Sequence, residues 1–215
     1  MTLILVIPSK EGLVMASDGQ VTLREVKTRA KKIKKLNENC VWGAAGDLPL
    51  IQLVEGSIAE LSNKERNLQN LRKDLSELVP QCVKNLPQGP PYDATFIFAE
   101  HETFARILIV DVHGLSIMLE DVPFAIGSGT LFAFTLFQKY LDLMPAGIDN
   151  RLAAVLAYGI IAETIEVTEG VGPPIDVWQL PPAENLTKEQ LTGLEDTCTG
   201  LREAEIEMFL KAVKS

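Results

Sequence analysis

Cysteine and histidine are scarce in this chain: three cysteines (Cys40, Cys82, Cys198) and two histidines (His101, His113) among 215 residues. The cysteines stand far apart with no CxxC pair, which excludes a disulfide framework and a thiolate zinc site and reads as reduced thiols. Each histidine stands alone near the end of a predicted strand, so neither metal ligation nor Ser-His chemistry is expected. No stretch approaches the roughly 18 apolar residues that a membrane span needs. Leu3–Ile7 is apolar but far too short for a signal peptide, and no cationic segment precedes it. Positive charge is in deficit, with 20 Lys and Arg against 29 Asp and Glu for a net −9. That balance argues against nucleic acid or an anionic membrane as the main partner. Internal repeats and low-complexity segments are absent. Gly127-Ser128-Gly129 before a helix could bind phosphate, but a strand-to-helix turn alone accounts for its glycines. No cofactor is expected, and the chain is expected to be soluble and cytoplasmic.

What is present is an ordinary globular composition, 47% hydrophobic and 23% charged, in a length that fits one domain over residues 1–215. Two continuous apolar segments, Thr2–Ile7 and Leu13–Ala16, flank turn residues and predict a hairpin in a sheet covered on both faces. Lys32–Leu36 and Cys40–Ala45 predict a second hairpin around Asn37-Glu38-Asn39. Period-3.6 patterns predict helices over Leu48–Leu61 and Leu68–Lys84, the latter kinked or stopped early by Pro80. Leu86–Pro91 is the clearest loop. Strands follow at Ala94–Phe98, Phe104–Val110 and Gly114–Leu119, with another before Gly127. Helices are expected over Thr130–Leu143 and Asn150–Val167, then a strand at Ile175–Leu180. Thr187-Lys188-Glu189-Gln190 has capping-box spacing and opens a helical tail, at about 185–215. Strands, two helices, strands, two helices and a strand make an α+β chain. The pattern suggests a layered sandwich, two sheets enclosed by helices.

Thr2 carries the chemistry of greatest interest. Methionine aminopeptidases trim before small residues, so loss of Met1 would leave an α-amine and a β-hydroxyl on one residue. The amine has an unperturbed pKa of roughly 7.7–8.0, and a hydroxyl with its own attached base is an activated nucleophile. If the first turn centres on Lys10, Thr2 faces Asp18 across the hairpin, with Cβ atoms roughly 4.5–5.5 Å apart. The second hairpin pairs Lys32 with Ala44 and puts Gly43 one step away. Joined in one sheet, the hairpins bring together Thr2, Asp18, Lys32 and the Gly43 N–H. Lys32 would keep the amine neutral and lower the hydroxyl's pKa. Asp18 would offset the cost of burying that ammonium, and the Gly43 N–H would face an oxyanion. Simpler readings of the same residues exist. Asp18-Gly19 can be a plain turn, and Lys32 belongs to a basic cluster (Lys27, Arg29, Lys31, Lys34, Lys35) of a kind usually solvated. Gly43 can merely relieve crowding in a strand.

Thr2, the segment Gly12–Thr22 with its Ala-Ser-Asp-Gly-Gln-Val-Thr core, Ala30-Lys31-Lys32-Ile33 and Gly43-Ala44-Ala45-Gly46-Asp47 together resemble the proteasome β-subunit family. Within it, the Ala-Ser-Asp-Gly-Gln-Val-Thr core is most similar to the peptidase subunit of the bacterial two-component ATP-dependent protease. Ala125–Gly129 and Gly172–Val177 continue the match in the same order, over about residues 2–180. The resemblance implies an N-terminal-nucleophile hydrolase: a four-layer αββα sandwich assembling into homo-oligomeric stacked rings. Unfolded polypeptide is then the implied substrate and an ATPase unfoldase a possible partner. By position it implies Thr2 as nucleophile and base, Asp18 and Lys32 as a supporting charge pair, Gly43 as oxyanion donor and Ser128 as an accessory serine. Thr22 matches a residue that pairs its backbone with substrate. Val21 and Ala45 match positions lining the side-chain pocket, where their small size suggests cleavage after large apolar residues.

The match has departures. Thr168 and Val171 fall where the family usually has an aspartate and a serine, with Glu166 and Glu169 nearby. Leu3 replaces a common threonine, and the Asp18-to-Lys32 spacing is slightly short. The tail after Pro181 has no counterpart. A catalytically silent ring subunit and an N-terminal-nucleophile amidase or transpeptidase are the alternative readings.

Overall fold

The computed structural model describes residues 2–23, 26–61, 67–87, 91–141 and 147–214. Met1, positions 88–90 of the predicted loop and the end of the helix expected to reach Leu143 lie outside them.

β1 (Leu3–Pro8) and β2 (Leu13–Asp18) form the first hairpin and are buried almost throughout. β3 (Gln20–Leu23) and β4 (Val26–Arg29) make a small separate hairpin. β5 (Ile33–Asn37) and β6 (Cys40–Gly46) form the next one, followed by α1 (Leu48–Leu61) and α2 (Leu68–Lys84). Then come β7 (Ala94–His101), β8 (Ala105–Asp111), β9 (Ser116–Glu120), β10 (Phe124–Gly127), α3 (Thr130–Leu141) and α4 (Asn150–Val167). β11 (Ile175–Leu180), β12 (Glu184–Asn185) and α5 (Lys188–Lys214) complete the order.

Two five-stranded antiparallel sheets result, ordered β10-β1-β2-β11-β12 and β5-β6-β7-β8-β9. Three apolar cores separate four layers. Leu3, Leu5, Val14 and Ala16 face α3 and α4. Ile4, Val6, Met15, Val41, Ile97 and Ile107 fill the space between the sheets. Trp42, Phe96, Phe98 and Leu108 pack against α1 and α2. Both faces of β1 and β2 are thus covered, which explains their unbroken apolar sequence. The αββα sandwich is the observed architecture.

The register of the first hairpin differs from the expected one by a residue. Ile7 pairs with Val14 and Ile4 with Ser17, so Leu3, not Thr2, comes level with Asp18. The four residues Ser9–Gly12 form the turn, closed by the Ser9 N–H donating to the Gly12 carbonyl at 2.9 Å. With both faces apolar, side-chain pattern cannot report register, and turn geometry sets it. The second hairpin holds the expected register, Ile33 opposite Gly43.

Pro80 does not stop α2, which continues to Lys84. A proline removes the hydrogen bond to the carbonyl four residues earlier, here that of Ser76. Gly114, at φ +79°, lies so close that a Cβ there would meet the Ser76 oxygen at 2.1 Å. The β3–β4 hairpin and β12 were not expected: β4 is exposed throughout and has no apolar alternation to mark it. The tail is helical as expected. Thr187 and Gln190 form the reciprocal capping box, N–H to Oε1 at 2.8 Å and N–H to Oγ1 at 3.3 Å.

Candidate active site

Thr2 sits at the start of β1, nearly buried at 9% exposure. Side chains from distant segments reach it, among them Lys32 and Ser128. The Lys32 Nζ, just before β5, donates to Thr2 Oγ1 at 3.1 Å. Ser128, in the turn between β10 and α3, accepts from the Thr2 nitrogen at 3.3 Å and donates to the Thr2 carbonyl at 3.4 Å. Gly127 makes that turn possible. Its φ is +99°, and a Cβ there would stand 2.1 Å from the Thr2 carbonyl oxygen, so a side chain would collide with the residue it helps place.

Asp18 ends β2, fully buried, and pairs with Lys32 at 2.7 Å. It also accepts the Leu3 N–H at 2.8 Å on the same oxygen, and the Gln20 and Gly172 N–H groups, each at 3.1 Å, on the other. Four donors therefore hold one carboxylate, compensating its burial. Burial holds the Lys32 ammonium below the ordinary lysine value; the charge and hydrogen bond of Asp18 oppose that shift. The resulting unit is a hydroxyl contacting a desolvated cation whose counter-ion is fixed by the backbone. A cation so placed favours the ionised hydroxyl and disfavours a protonated amine nearby.

Gly43 is central in β6, flanked by β5 and β7. A Cβ on it would come within 2.9 Å of both the Ile4 side chain and the Lys32 carbonyl, so its smallness lets the two sheets close beside the site. Thr2, Val21 and Thr22 open on a cavity of about 490 Å³ together with Trp42, Ala44 and Ile51. Ala45 is placed otherwise: it is buried between the sheets with Ile4 and Ile97. Strand alternation is the reason. Val41, Gly43 and Ala45 face the sheet-to-sheet core, while Trp42 and Ala44 face α1. Trp42, Ala44 and the α1 residues Ile51 and Glu55 are lining residues that sequence reasoning missed, although alternation from Gly43 and the period of α1 would have found them. Lys34 lies 5.7 Å over the Trp42 ring and pairs with Glu55, putting an ion pair at the rim of a cavity expected to be apolar.

Thr168 and Val171 bring no carboxylate or serine here. Val171 is buried in the helix-side core. The Thr168 hydroxyl is buried with no hydrogen-bond partner among the described residues. Glu166 turns outward to Arg202 at 2.6 and 2.9 Å. This segment reaches the site through backbone alone, by the Gly172 N–H on Asp18.

A family model described as proteasome subunit matches residues 2–179. The chain belongs to the proteasome subunit family. Among solved structures it is similar to Anbu (ancestral beta-subunit) from Yersinia bercovieri, at 17% identity and TM-score 0.77, over 97% of this chain and 96% of that one. Anbu from Hyphomicrobium sp. strain MC1 matches at 18% identity and TM-score 0.74, covering 94% and 96%. The subunit in a helical assembly of the Anbu complex from Pseudomonas aeruginosa matches at 13% identity and TM-score 0.80, covering 97% and 96%. At these identities the proteasome-like fold is what the structures share with this chain, α5 included. No helix among the described residues is long and apolar enough to cross a membrane.

Proposed function

We propose that this proteasome-family chain is a threonine peptidase that hydrolyses peptide bonds through an acyl-enzyme on Thr2. One observation carries the reading: Lys32 Nζ lies 3.1 Å from Thr2 Oγ1 and 2.7 Å from the fully buried Asp18. Removal of Met1 frees the Thr2 amine, which takes the Oγ1 proton as Oγ1 attacks the scissile carbonyl carbon. The cationic Lys32 offsets the charge developing on Oγ1, and the Gly43 N–H is assigned to the oxyanion. The tetrahedral intermediate collapses with cleavage of the C–N bond. The proton passes to the leaving amine, and an ester remains on Thr2. Water, deprotonated by the same amine, hydrolyses the ester and restores the hydroxyl. Ser128 orients the Thr2 backbone. Thr22 pairs with an extended substrate and Val21 borders the cavity for its side chain. Substrate would be unfolded polypeptide, entering homo-oligomeric stacked rings in the cytoplasm with an ATPase unfoldase as feeder.

Thr2→Ala tests this against fluorogenic peptides. Hydrolysis by material lacking Met1, absent in Thr2→Ala of unchanged assembly mass, is the expected result. Equal turnover by both, or normal turnover by chains that keep Met1, refutes it. Thr168 and Val171 favour a second reading, a catalytically silent ring subunit, because neither can hydrogen-bond the amine as a carboxylate would. That reading predicts no turnover from wild-type chain fully processed to Thr2.

A further inference from the structure

The cavity beside Thr2 holds charges that the proposed chemistry does not use. β5 and β6 set Lys34 opposite Trp42. Ile33 and Val41 enter the core between the sheets, so alternation sends Lys34 and Trp42 toward α1. From the other side Leu48, Ile51, Gln52 and Glu55 line the cavity, at the spacing that puts them on one face of α1. Trp42 is held in place, only 3% exposed and stacked on Phe98 with ring centroids 6.0 Å apart. The Lys34 Nζ lies 5.7 Å over the Trp42 ring and pairs with the Glu55 carboxylate. An aromatic face and a carboxylate converging on one point make a cation site, and the ammonium that fills it belongs to the protein itself. Lys32, two residues earlier and so roughly 7 Å away along the backbone, reaches Thr2 Oγ1. The cavity therefore runs from the hydroxyl to the cation site. Of its other charges, Lys32 is matched by Asp18, Asp47 accepts the Asp93 N–H at 2.9 Å, and Lys31 is exposed.

We propose that Lys34 is a specificity-determining residue: by occupying the cation site of Trp42 and Glu55 it excludes arginine and lysine side chains of a substrate from this cavity. The inference rests on the peptidase reading for what enters the cavity, while the cation site itself does not depend on Thr2 chemistry. A basic side chain entering beside Lys34 meets a like charge, and one that displaces it must break both of its contacts. Displacement also competes with a group tethered to the same strand, whose effective concentration is high. Large apolar and aromatic side chains meet neither obstacle, and Val21, Ala44, Trp42 and Ile51 offer them an apolar wall. The Lys34 and Glu55 side chains are 32% and 40% exposed, so the effect is moderate. A cation over an aromatic face, together with a partly exposed ion pair, corresponds to about tenfold in selectivity. Lys34→Met keeps the length of the stem and removes the ammonium. It leaves Glu55 without its counter-ion beside an open Trp42 face, which is the setting a guanidinium needs.

Two matched fluorogenic peptides, with phenylalanine or arginine before the cleaved bond, test this on full chain processed to Thr2. Wild type is expected to favour phenylalanine. The ratio of kcat/KM for arginine over phenylalanine should rise about tenfold in Lys34→Met and fall back in Lys34→Met/Glu55→Gln. Binding of n-butylguanidinium, followed by tryptophan fluorescence, is a second readout that needs no turnover. Lys34→Met should bind it about tenfold more tightly than wild type, and the double variant should lose that gain. In a chain that turns over peptide, an unchanged ratio in Lys34→Met overturns the inference. So does a gain that survives Glu55→Gln, which would mean that added volume and not a vacated cation site admits arginine. If the processed chain turns over neither peptide, the peptidase reading fails and binding alone decides; equal affinity in wild type and Lys34→Met, or a gain kept in the double variant, then overturns the inference.

Discussion

Replacing Asp18 by asparagine keeps the shape of a fully buried side chain and removes one charge and one acceptor. Lys32 and Leu3 donate to one carboxylate oxygen, Gln20 and Gly172 to the other. An amide offers a single oxygen, so two of these four donors must face its NH2 group instead. If the pair at Gln20 and Gly172 loses out, two backbone N–H groups are left unsatisfied at about 1–3 kcal/mol each. If the pair at Lys32 and Leu3 loses out, a buried cation is stranded, worth about 3–5 kcal/mol. Either way the loss comes to about 5 kcal/mol, against about 5–15 kcal/mol for a whole domain. Urea unfolding followed by the fluorescence of Trp42 and Trp178 measures it, at fixed protomer concentration because assembly shifts apparent stability. Pairing Asp18→Asn with Lys32→Met removes the stranded cation, so the double variant should recover about 2 kcal/mol relative to the sum of the single losses. A single-variant cost under about 1 kcal/mol, or strictly additive losses, would refute the account of Asp18 as the fixed counter-ion of Lys32.

Other outcomes follow from the same geometry. The folded-state Lys32 pKa is depressed, so its charge is lost as pH rises through a value below the usual lysine one. Peptide turnover should therefore fall on an alkaline limb below pH 10.5, and any residual activity of Lys32→Arg, whose guanidinium stays charged, should lack that limb; a shared limb contradicts the assignment. Gly127→Ala drives a methyl into the Thr2 carbonyl at a positive φ and should lower Tm while cutting kcat/KM more than tenfold; wild-type kinetics would show that the turn does not position Thr2. Ser128→Ala loses two long hydrogen bonds and should cost about 1 kcal/mol of stability, with kcat falling roughly tenfold and KM unchanged. A rise in KM alone would place Ser128 in substrate binding.

The elements that sequence reasoning located well are those whose burial leaves a periodic or continuous signature. The apolar β1 and β2, the stripes of α1 and α2, and the capping box at Thr187 all announce themselves in composition and spacing. The contacts between Lys32 and both Thr2 and Asp18 were legible through the family resemblance and the shortness of the two hairpins. Register was not, because β1 and β2 are apolar on both faces and a one-residue slip leaves their pattern unchanged. That is why Thr2 was expected opposite Asp18, where Leu3 lies. Ala45 illustrates a related failure: correspondence of position names a residue, whereas strand alternation decides which layer it enters, and it enters the core between the sheets. The exposed β3–β4 hairpin has no burial to leave a pattern. Backbone groups are the least readable of all, and the Gly172 N–H that completes the Asp18 environment has no side chain to betray it.

Asp18 waits for a donor 154 positions further along the polypeptide. A nascent chain leaving the ribosome has emitted Thr2, Asp18 and Lys32 long before Gly172, and for all that time the carboxylate lacks part of its cradle. Under the proposed chemistry, cutting power ripens only when the segment leading into β11 docks beside β2, which gives newly made subunits a built-in delay before they can damage their neighbours.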